Sequence, residues 1–362
     1  MLWTNAKRLV ISFYKASLIH KTFYVLTIII SILLLTNYGR KELHDEGFAD
    51  ATNANGNDSA NGNGGMTFVL RTTPEKIYDP FYVGVYDQLL FSKFKNDFEI
   101  GAIVQRTKPT ERSRVLDIGC GVGHHVSSYK AHGVKAVQGI DISPALIQKA
   151  KENYPNQLFT VADAMNQMLF PAMSFTHISC LYFTIYYMRD KVQLFRNCFF
   201  WLQAGGYLVL HLVEPALFDP IIPAGDPFHL VSPQSYAKER ITSSVVKFDS
   251  MDYRANFKLN PSQQDDHGTA NAIMSETFKQ KNGAVIKNEH QLYMPSQAEI
   301  LTIAKEQGFI VLAQIDMVKC QYANQFLYVL QKPSWIKVWL RFIIPKCYYF
   351  TAGFLVVFCF IL

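Results

Sequence analysis

The 362-residue chain is long enough to bury a full α/β core together with additional elements. Its formal net charge is +6, but residues 1–22 and 332–362 each carry +4 without an acidic residue, which leaves −2 for everything between them. A nucleic-acid-binding surface needs a local excess of cations, so this distribution argues against such a surface on the central region. The six cysteines show no paired framework, which is typical of a reducing compartment.

The N-terminal segment, residues 1–39, is basic and then apolar. Its run Phe23–Thr36 contains no charged residue and is followed by Arg40 and Lys41. The run is shorter than the ~20 apolar residues of a spanning helix, yet it has no amphipathic pattern and no obvious core to bury it. We therefore expect this segment to associate with a membrane, and the alternatives are a buried core helix or a surface-lying anchor.

Residues 40–65 are predicted to form a flexible linker, because Asp50–Gly65 (DATNANGNDSANGNGG) is rich in Asn and Gly and has nothing that could build a core. The main domain is predicted over residues 66–331. It begins with a helical cap, residues 66–100, in which three tyrosines recur at four-residue spacing and so share one helical face. These phenols either pack against the core or touch a ligand; they are Tyr78, Tyr82 and Tyr86.

The most informative stretch is Arg114–His125 (RVLDIGCGVGHH), which is followed by Gly139–Ser143 (GIDIS). It predicts a buried strand ending near Asp117, a tight glycine turn, a helix, and a second buried strand ending in Asp141. In an open α/β sheet, ligands bind at the carboxyl ends of the strands and at helix N-termini. The glycines of the turn alternate; they are Gly119, Gly121 and Gly123.

The pattern D-I-G-C-G-V-G resembles the first motif of class I S-adenosylmethionine-dependent methyltransferases, in particular the small-molecule type. A dinucleotide-binding fold would have a small residue three positions after Gly121, where this chain has His124. The resemblance implies that Asp141 binds the ribose, that Ile142 lies on the adenine, and that Asp163 contacts the adenine amine. It implies S-adenosylmethionine as the cofactor and the following cofactor-binding residues: Asp117, Gly119, Cys120, Gly121, Gly123, Asp141, Ile142, Asp163 and Ala164.

The resemblance extends over about Phe68–Lys332 and implies a Rossmann-like α/β fold with a seven-stranded sheet. Phe175–Met188, rich in β-branched and aromatic residues, is predicted to be the fourth strand. Lys191–Leu202 is an amphipathic helix that Gly205 or Gly206 would cap. Ser296 is predicted to cap a further helix with Glu299 completing a capping box. The other predicted strands are Leu158–Met165, Tyr207–Pro215, Phe309–Val318 and Gln325–Lys332.

Residues 215–295 are predicted to be an insertion between the fifth strand and the next helix. Two stretches within it, 243–259 and 272–294, alternate like strands, and Asn282-Gly283 is a strong hairpin turn. Small-molecule methyltransferases commonly carry an antiparallel flap over the substrate at this place. We expect such an antiparallel, substrate-side sheet here, and the alternative is a solvated platform or a partner surface.

Three residues are candidates for catalysis. Tyr187 follows the predicted fourth strand, Tyr86 belongs to the cap, and His211 lies inside the predicted fifth strand, where a core histidine is the alternative. Enzymes that methylate base amines in nucleic acids carry an Asn/Asp/Ser-Pro-Pro-aromatic motif after strand four, where this chain has Leu181–Thr184. We therefore expect no nucleic-acid partner, and no metal site is predicted.

The C-terminal segment, residues 332–362, is basic and ends in the apolar run Tyr348–Leu362, so it is also predicted to associate with a membrane. Its cations lie on the domain side, whereas those of the N-terminus favour the opposite orientation. We expect a membrane-associated methyltransferase for a small-molecule or lipid-like acceptor. Its catalytic domain would face the cytosol, where S-adenosylmethionine is made. The alternatives are a membrane scaffold that binds the cofactor without turnover and, less favoured, an aminopropyl transferase on the same fold.

Overall fold

The computed structural model describes residues 68–220, 234, 237–264 and 270–334, and all of them belong to one compact unit. The apolar runs Phe23–Thr36 and Tyr348–Leu362, and the linker predicted at 40–65, lie outside these residues. Among the helices that the described residues form, none combines the length and the hydrophobicity that crossing a bilayer requires.

Within the described residues, twelve strands form two sheets. The strands are β1 (Phe68–Arg71), β2 (Arg114–Ile118), β3 (Ala136–Asp141), β4 (Leu158–Val161), β5 (Phe175–Cys180), β6 (Leu202–Val213), β7 (Ser243–Lys247), β8 (Met251–Gln264), β9 (Ala270–Gln280), β10 (Val285–Tyr293), β11 (Ile310–Asp316) and β12 (Gln325–Gln331). The α-helices are α1 (Pro74–Ile77), α2 (Pro80–Leu90), α3 (Lys93–Thr107), α4 (His124–Ala131), α5 (Pro144–Asn153), α6 (Thr184–Tyr187), α7 (Lys191–Trp201) and α8 (Gln297–Glu306). Two 3₁₀ turns are Gln167–Leu169 and Val318–Cys320.

The larger sheet has seven strands in the order β11-β12-β6-β5-β2-β3-β4, which confirms the predicted Rossmann-like fold. β2 pairs in parallel with both β3 and β5, so the strand order reverses at β2. β12 runs antiparallel to β6 and to β11. Ligands of open α/β sheets bind at the carboxyl edge beside such a reversal, which places a site after β2 and β3.

Helices cover both faces of this sheet, and two apolar clusters form its core. One cluster contains Leu116, Phe195 and Trp201, and the other contains Ile103 and Val137. Because both faces are covered, the parallel strands read as continuous apolar runs in the sequence. This is why the strands that flank the glycine turn could be predicted from sequence.

The capping box at the start of α8 is present as predicted. The Ser296 hydroxyl accepts from the Glu299 amide at 3.3 Å, and the Ser296 amide donates to the Glu299 carboxylate at 2.7 Å. The prediction for the end of α7 is wrong, because neither Gly205 nor Gly206 caps it. The chain passes directly from Trp201 into β6, and Gly205 lies within that strand at a φ of +81°.

The predicted fourth strand, Phe175–Met188, is too long. β5 ends at Cys180, and residues Thr184–Tyr187 form the short helix α6. Tyr182 adopts a left-handed φ of +54°, which extended backbone does not contain. The aromatic residues that suggested a strand belong instead to the turn and helix that face the ligand side of the sheet.

The cap consists of several helices rather than one. Asp79 ends the first segment and caps α2 by accepting from the Tyr82 amide at 2.9 Å, and Pro80 occupies the first position of α2. Tyr78 therefore lies between α1 and α2 and does not share a helical face with Tyr82 and Tyr86.

Four strands of the insertion and β1 of the cap form a five-stranded sheet in the order β1-β10-β9-β8-β7, which is antiparallel except for the β1–β10 pair. The predicted hairpin turn between β9 and β10 is present, with Gly283 at a φ of +88°. Ile77 and Tyr82 of the cap share an apolar cluster with Tyr253 and Phe278 of this sheet. Cap and insertion thus fold together as one cover.

Candidate active site

A cavity of about 510 Å³ lies between the carboxyl edge of the seven-stranded sheet and this cover. Its volume falls within the ~300–1,000 Å³ of pockets that enclose small ligands. The sheet side contributes Gly119, Gly121, Asp141, Ile142, Asp163 and Ala164. The cover and the turn after β5 contribute Tyr78, Tyr82, Tyr86, Tyr182, Tyr187, Glu276 and His290.

The glycine turn lies so close to α6 and to the cap that Gly119 and Gly121 have no room for side chains. The Gly119 and Gly121 backbones are left-handed, with φ of +69° and +53°. A Cβ on Gly119 would come within 2.4 Å of the Thr184 side chain, and one on Gly121 within 2.6 Å of the Tyr86 hydroxyl. Both positions therefore require glycine, as the sequence pattern indicated.

Asp141 ends β3 at the edge of the cavity. Its Oδ2 accepts from the Gly121 amide at 3.0 Å, and its Oδ1 accepts from the Ser143 amide at 2.9 Å. A carboxylate has about four acceptor positions, so Asp141 keeps acceptor capacity for a ribose hydroxyl. Ile142 is 39% exposed beside it and offers an apolar face for a base. These residues fit an adenosine moiety.

A chain of hydrogen bonds, the Tyr–His–Glu chain, lies on the cover side of the cavity and consists of Tyr78, Tyr187, His290 and Glu276. The hydroxyls of Tyr78 and Tyr187 are 2.9 Å apart. The Tyr187 hydroxyl lies 2.6 Å from His290 Nδ1, and His290 Nε2 lies 2.7 Å from Glu276 Oε2. The chain joins three separate parts of the sequence: the cap, α6 and the insertion.

Glu276 is 2% exposed and accepts two further hydrogen bonds at Oε1, from Tyr253 at 2.8 Å and from Tyr82 at 3.1 Å. Burial alone would raise the pKa of Glu276. The neighbouring His290 and the hydrogen-bond donors outweigh burial and hold the pKa below its ordinary value. Glu276 is therefore an ionised carboxylate at neutral pH.

Residues 115–206 match a family model described as a methyltransferase domain. This region contains the glycine turn, Asp141 and Asp163, which all line the cavity. These residues thus form a methyltransferase domain, and the fold around them is that of solved S-adenosylmethionine-dependent methyltransferases. S-adenosylmethionine is accordingly the cofactor of the site.

Curated relatives and solved structures agree with this assignment. A dTDP-4-amino-2,3,4,6-tetradeoxy-D-glucose N,N-dimethyltransferase of Saccharopolyspora spinosa is 31% identical over 148 residues, which is 39% of this chain and 57% of the relative. A phosphoethanolamine N-methyltransferase of Triticum aestivum is 33% identical over 105 residues, 27% of this chain and 20% of the relative. A tRNA U34 carboxymethyltransferase of Saccharophagus degradans is 24% identical over 150 residues, 39% of this chain and 45% of the relative. The chain spans about half the length of the first two curated relatives that it matches.

Among solved structures, the CcbJ methyltransferase from Streptomyces caelestis superposes with a TM-score of 0.54 at 16% identity. The match covers 72% of this chain and 100% of that protein. An S-adenosylmethionine-dependent methyltransferase from Clostridium acetobutylicum superposes with a TM-score of 0.51 at 16% identity, covering 70% and 98%. At this identity the likeness concerns the fold.

Three of the predicted cofactor residues do not line the cavity of the methyltransferase domain. Asp117 is buried within β2, where its Oδ1 accepts from the Ser179 hydroxyl at 2.7 Å, and burial raises its pKa. Cys120 is buried, and Gly123 begins α4 at a φ of +92°. These residues shape the turn, and a direct contact with the cofactor stays a prediction for them.

The structure places two of the three catalytic candidates at the cavity and one in the core. Tyr187 belongs to the Tyr–His–Glu chain, and Tyr86 lines the cavity against the glycine turn. His211 does not line the cavity, so the structure gives no support for a catalytic role. It is fully buried in β6, where Nε2 is 3.0 Å from the Gln325 side chain; burial and the nearby Lys95 lower its pKa to about 3. It is the neutral core histidine of the alternative interpretation.

Sequence reasoning missed Glu276 and His290. Along β9, Glu276 shares a face with Met274 and Phe278, and along β10, His290 shares a face with Leu292. A charged residue on the apolar side of an alternating strand is the signal that could have identified them. Within the described part of the chain, no group of three or more metal-ligating side chains comes together.

The ionisation of Asp141 makes cofactor binding sensitive to pH. Burial raises its pKa to about 6, although the amides of Ser143 and Gly121 partly counteract this. If the ionised form binds the ribose, affinity should fall about tenfold per pH unit below that pKa. Calorimetric titrations between pH 5 and pH 8 measure this dependence. In Asp141→Asn, the affinity should no longer fall as the pH is lowered.

Protonation of Asp141 affects the free energy of unfolding in the opposite direction to cofactor affinity. Because its pKa is higher in the folded state than in the unfolded chain, the folded state binds the proton more tightly. Its contribution to the free energy of unfolding is therefore unfavourable above about pH 6 and disappears as the pH falls toward ~4. If the loss of affinity at low pH simply followed unfolding of the protein, Asp141 would not be the group whose protonation weakens cofactor binding.

Proposed function

We propose that this protein transfers the methyl group of S-adenosylmethionine to a small-molecule acceptor. The observation that supports this most strongly is that the adenosine-binding residues and the Tyr–His–Glu chain line one cavity. Methyl transfer from a sulfonium is an in-line displacement, so much of the catalysis comes from positioning and from exclusion of water. The cap and the insertion supply both by covering the carboxyl edge of the sheet.

The acceptor is proposed to be small enough to share the cavity with the cofactor. The name of the Saccharopolyspora relative specifies an amino sugar, and that of the wheat relative specifies phosphoethanolamine. Apolar side chains also line the cavity, which would accommodate a lipid-like group; they are Phe218, Phe257, Met274 and Leu292. The charge of −2 over residues 23–331 and the covered cavity disfavour the tRNA substrate named for another relative.

We also propose that the protein is held at a membrane, with the domain on the cytosolic face. The uncharged runs Phe23–Thr36 and Tyr348–Leu362, with cations beside each, support this. Fractionation of cells that express the full chain should recover it in alkali-washed membranes. Recovery in the soluble fraction would remove the membrane from the proposal and leave the transferase.

The proposed activity is tested by two measurements on the full chain. Calorimetry should detect binding of S-adenosylmethionine, and incubation of a metabolite extract with isotopically labelled cofactor should yield labelled small molecules. Absence of binding would contradict the proposal. Binding without any labelled product would favour the alternative of a scaffold that has lost turnover.

A further inference from the structure

We infer that the Tyr–His–Glu chain is a proton relay that withdraws a proton from a protonated amine as that amine becomes the methyl acceptor. The inference rests on the proposed function and deepens it. It assigns a catalytic role to Tyr78 and Tyr187, a proton-accepting role to His290, and a positioning role to Glu276.

The charge of the cavity favours a cationic acceptor. Asp141 and Asp163 lie on the cofactor side; among the other described residues that line the cavity, Arg189 is a permanent cation, and three are acids: Asp190, Asp219 and Glu276. Phenols lie beside Glu276, since the Tyr82 and Tyr253 hydroxyls donate to it. The Tyr82 ring packs edge to face against Tyr78, with centroids 5.1 Å apart. Acids and aromatic faces both attract an ammonium group, whereas a neutral hydroxyl compound would gain less.

The direction of each hydrogen bond in the chain follows from an ionised Glu276 together with a His290 ring that carries a single proton. An ionised carboxylate only accepts, so His290 Nε2 carries a proton and donates it to Glu276. In the relay, His290 rests with this one ring proton, so Nδ1 accepts and the Tyr187 hydroxyl donates to it. The Tyr187 oxygen in turn accepts from the Tyr78 hydroxyl. All hydroxyl protons thus point from the cavity toward His290.

Such a chain moves one proton in one direction. The ammonium proton passes to the Tyr78 oxygen, the Tyr78 proton passes to Tyr187, and the Tyr187 proton passes to His290 Nδ1. The imidazolium formed is paired with the Glu276 carboxylate. Burial raises the pKa of both phenols, so neither rests as a phenolate and the proton continues to the imidazole.

The electron balance is complete without a further reactant. The lone pair released on the acceptor nitrogen forms the new N–C bond. Bound S-adenosylmethionine supplies the methyl group, and its sulfur keeps the electron pair of the broken S–C bond. One proton is left on His290 and returns to water after the product leaves.

The first test needs no acceptor. Nitrogen-15 spectra of the histidine rings of the full chain, assigned by the resonance lost in His290→Gln, should show His290 protonated at Nε2 and accepting at Nδ1. Tyr187→Phe should shift the Nδ1 resonance. Tyr328→Phe, which removes a buried phenol bonded to Gln297 outside the cavity, should not shift it. A proton on Nδ1, or an unchanged resonance in Tyr187→Phe, would overturn the relay.

The second test uses the amine that wild type methylates best in a panel of primary and secondary amines. Tyr78→Phe and His290→Gln should lower kcat roughly 10²–10⁴-fold, the usual contribution of acid–base catalysis. The KM of the amine and the Kd of S-adenosylmethionine should stay within about threefold, and Tyr328→Phe should keep full activity. The loss should shrink as the pH approaches the pKa of the free amine, because the free base needs no relay.

An unchanged kcat in His290→Gln, or a loss that follows cofactor binding, would overturn the relay while leaving the transferase activity intact. If wild type methylated no amine while the metabolite extract still gave labelled products, the relay would also be overturned and the transferase activity would stand. If the extract gave no labelled product either, the proposed function itself would fail.

Discussion

Replacing Asp141 with alanine is expected to weaken binding of S-adenosylmethionine at least tenfold. The carboxylate keeps acceptor capacity beside its two amide bonds to Gly121 and Ser143, and a charge-assisted hydrogen bond contributes about 1.5–3 kcal/mol. Each ~1.4 kcal/mol corresponds to a factor of ten in affinity. The domain should remain folded, because the side chain faces the cavity and Ser143 still caps α5 through its own hydroxyl.

Calorimetry measures the affinity, and thermal unfolding of the same samples establishes that the fold is intact. Asp163→Ala is the comparison variant, since Asp163 lies on the same cavity wall and is expected to make a single contact with the adenine amine. Its affinity should fall less than that of Asp141→Ala. A folded Asp141→Ala protein with unchanged affinity would show that the cofactor lies elsewhere.

The cofactor side of the cavity could be predicted because its determinants are local. The turn from Gly119 to Gly123 and the carboxylate at the end of β3 lie within 23 residues of one another, and their spacing fixes strand, turn and helix. The apolar runs on either side need no knowledge of distant contacts, since a parallel sheet buries both faces of its strands.

The acceptor side could not be predicted in the same way. Tyr78, Tyr187 and His290 are brought together only when the insertion folds against the cap, with separations of 109 and 103 residues along the chain. The left-handed residue Tyr182 and the helix start at Pro80 then orient the aromatic side chains. The β-propensity of Phe175–Met188 favoured a single strand over the whole stretch. In the structure the strand ends at Cys180, and the remaining residues form the turn and α6, whose side chains line the cavity.

Replacing Lys95 with methionine is expected to lower the free energy of unfolding by about 3–5 kcal/mol, the usual cost of removing one partner of a buried ion pair. Lys95 Nζ lies 2.7 Å from Glu99 Oε1, and the side chains are only 6% and 0% exposed. Burial alone would raise the pKa of Glu99, but Lys95 and His125 outweigh it and hold the pKa well below its ordinary value. Without Lys95, the carboxylate keeps its burial cost and loses its principal partner.

The same helix provides a matched control. Lys93 and Asp97 form an ion pair with the same four-residue spacing, but their side chains are 78% and 54% exposed. Lys93→Met should therefore change the free energy of unfolding by no more than about 0.5 kcal/mol. Chemical denaturation of both variants, followed by intrinsic fluorescence, gives the two values.

The pH dependence separates an unpaired carboxylate from a simple loss of packing. In Lys95→Met, folding favours a protonated Glu99, whereas the unfolded chain binds that proton only near its ordinary pKa of ~4.3. The folded variant then binds more protons than the unfolded chain above this pKa, so the destabilisation should shrink as the pH falls from 8 toward 5. A loss that is constant over this range would mean that the contacts of the Lys95 ammonium with the Tyr182 and Tyr322 rings, 4.6 Å and 5.4 Å from their centroids, stabilise the domain more than its pairing with Glu99 does.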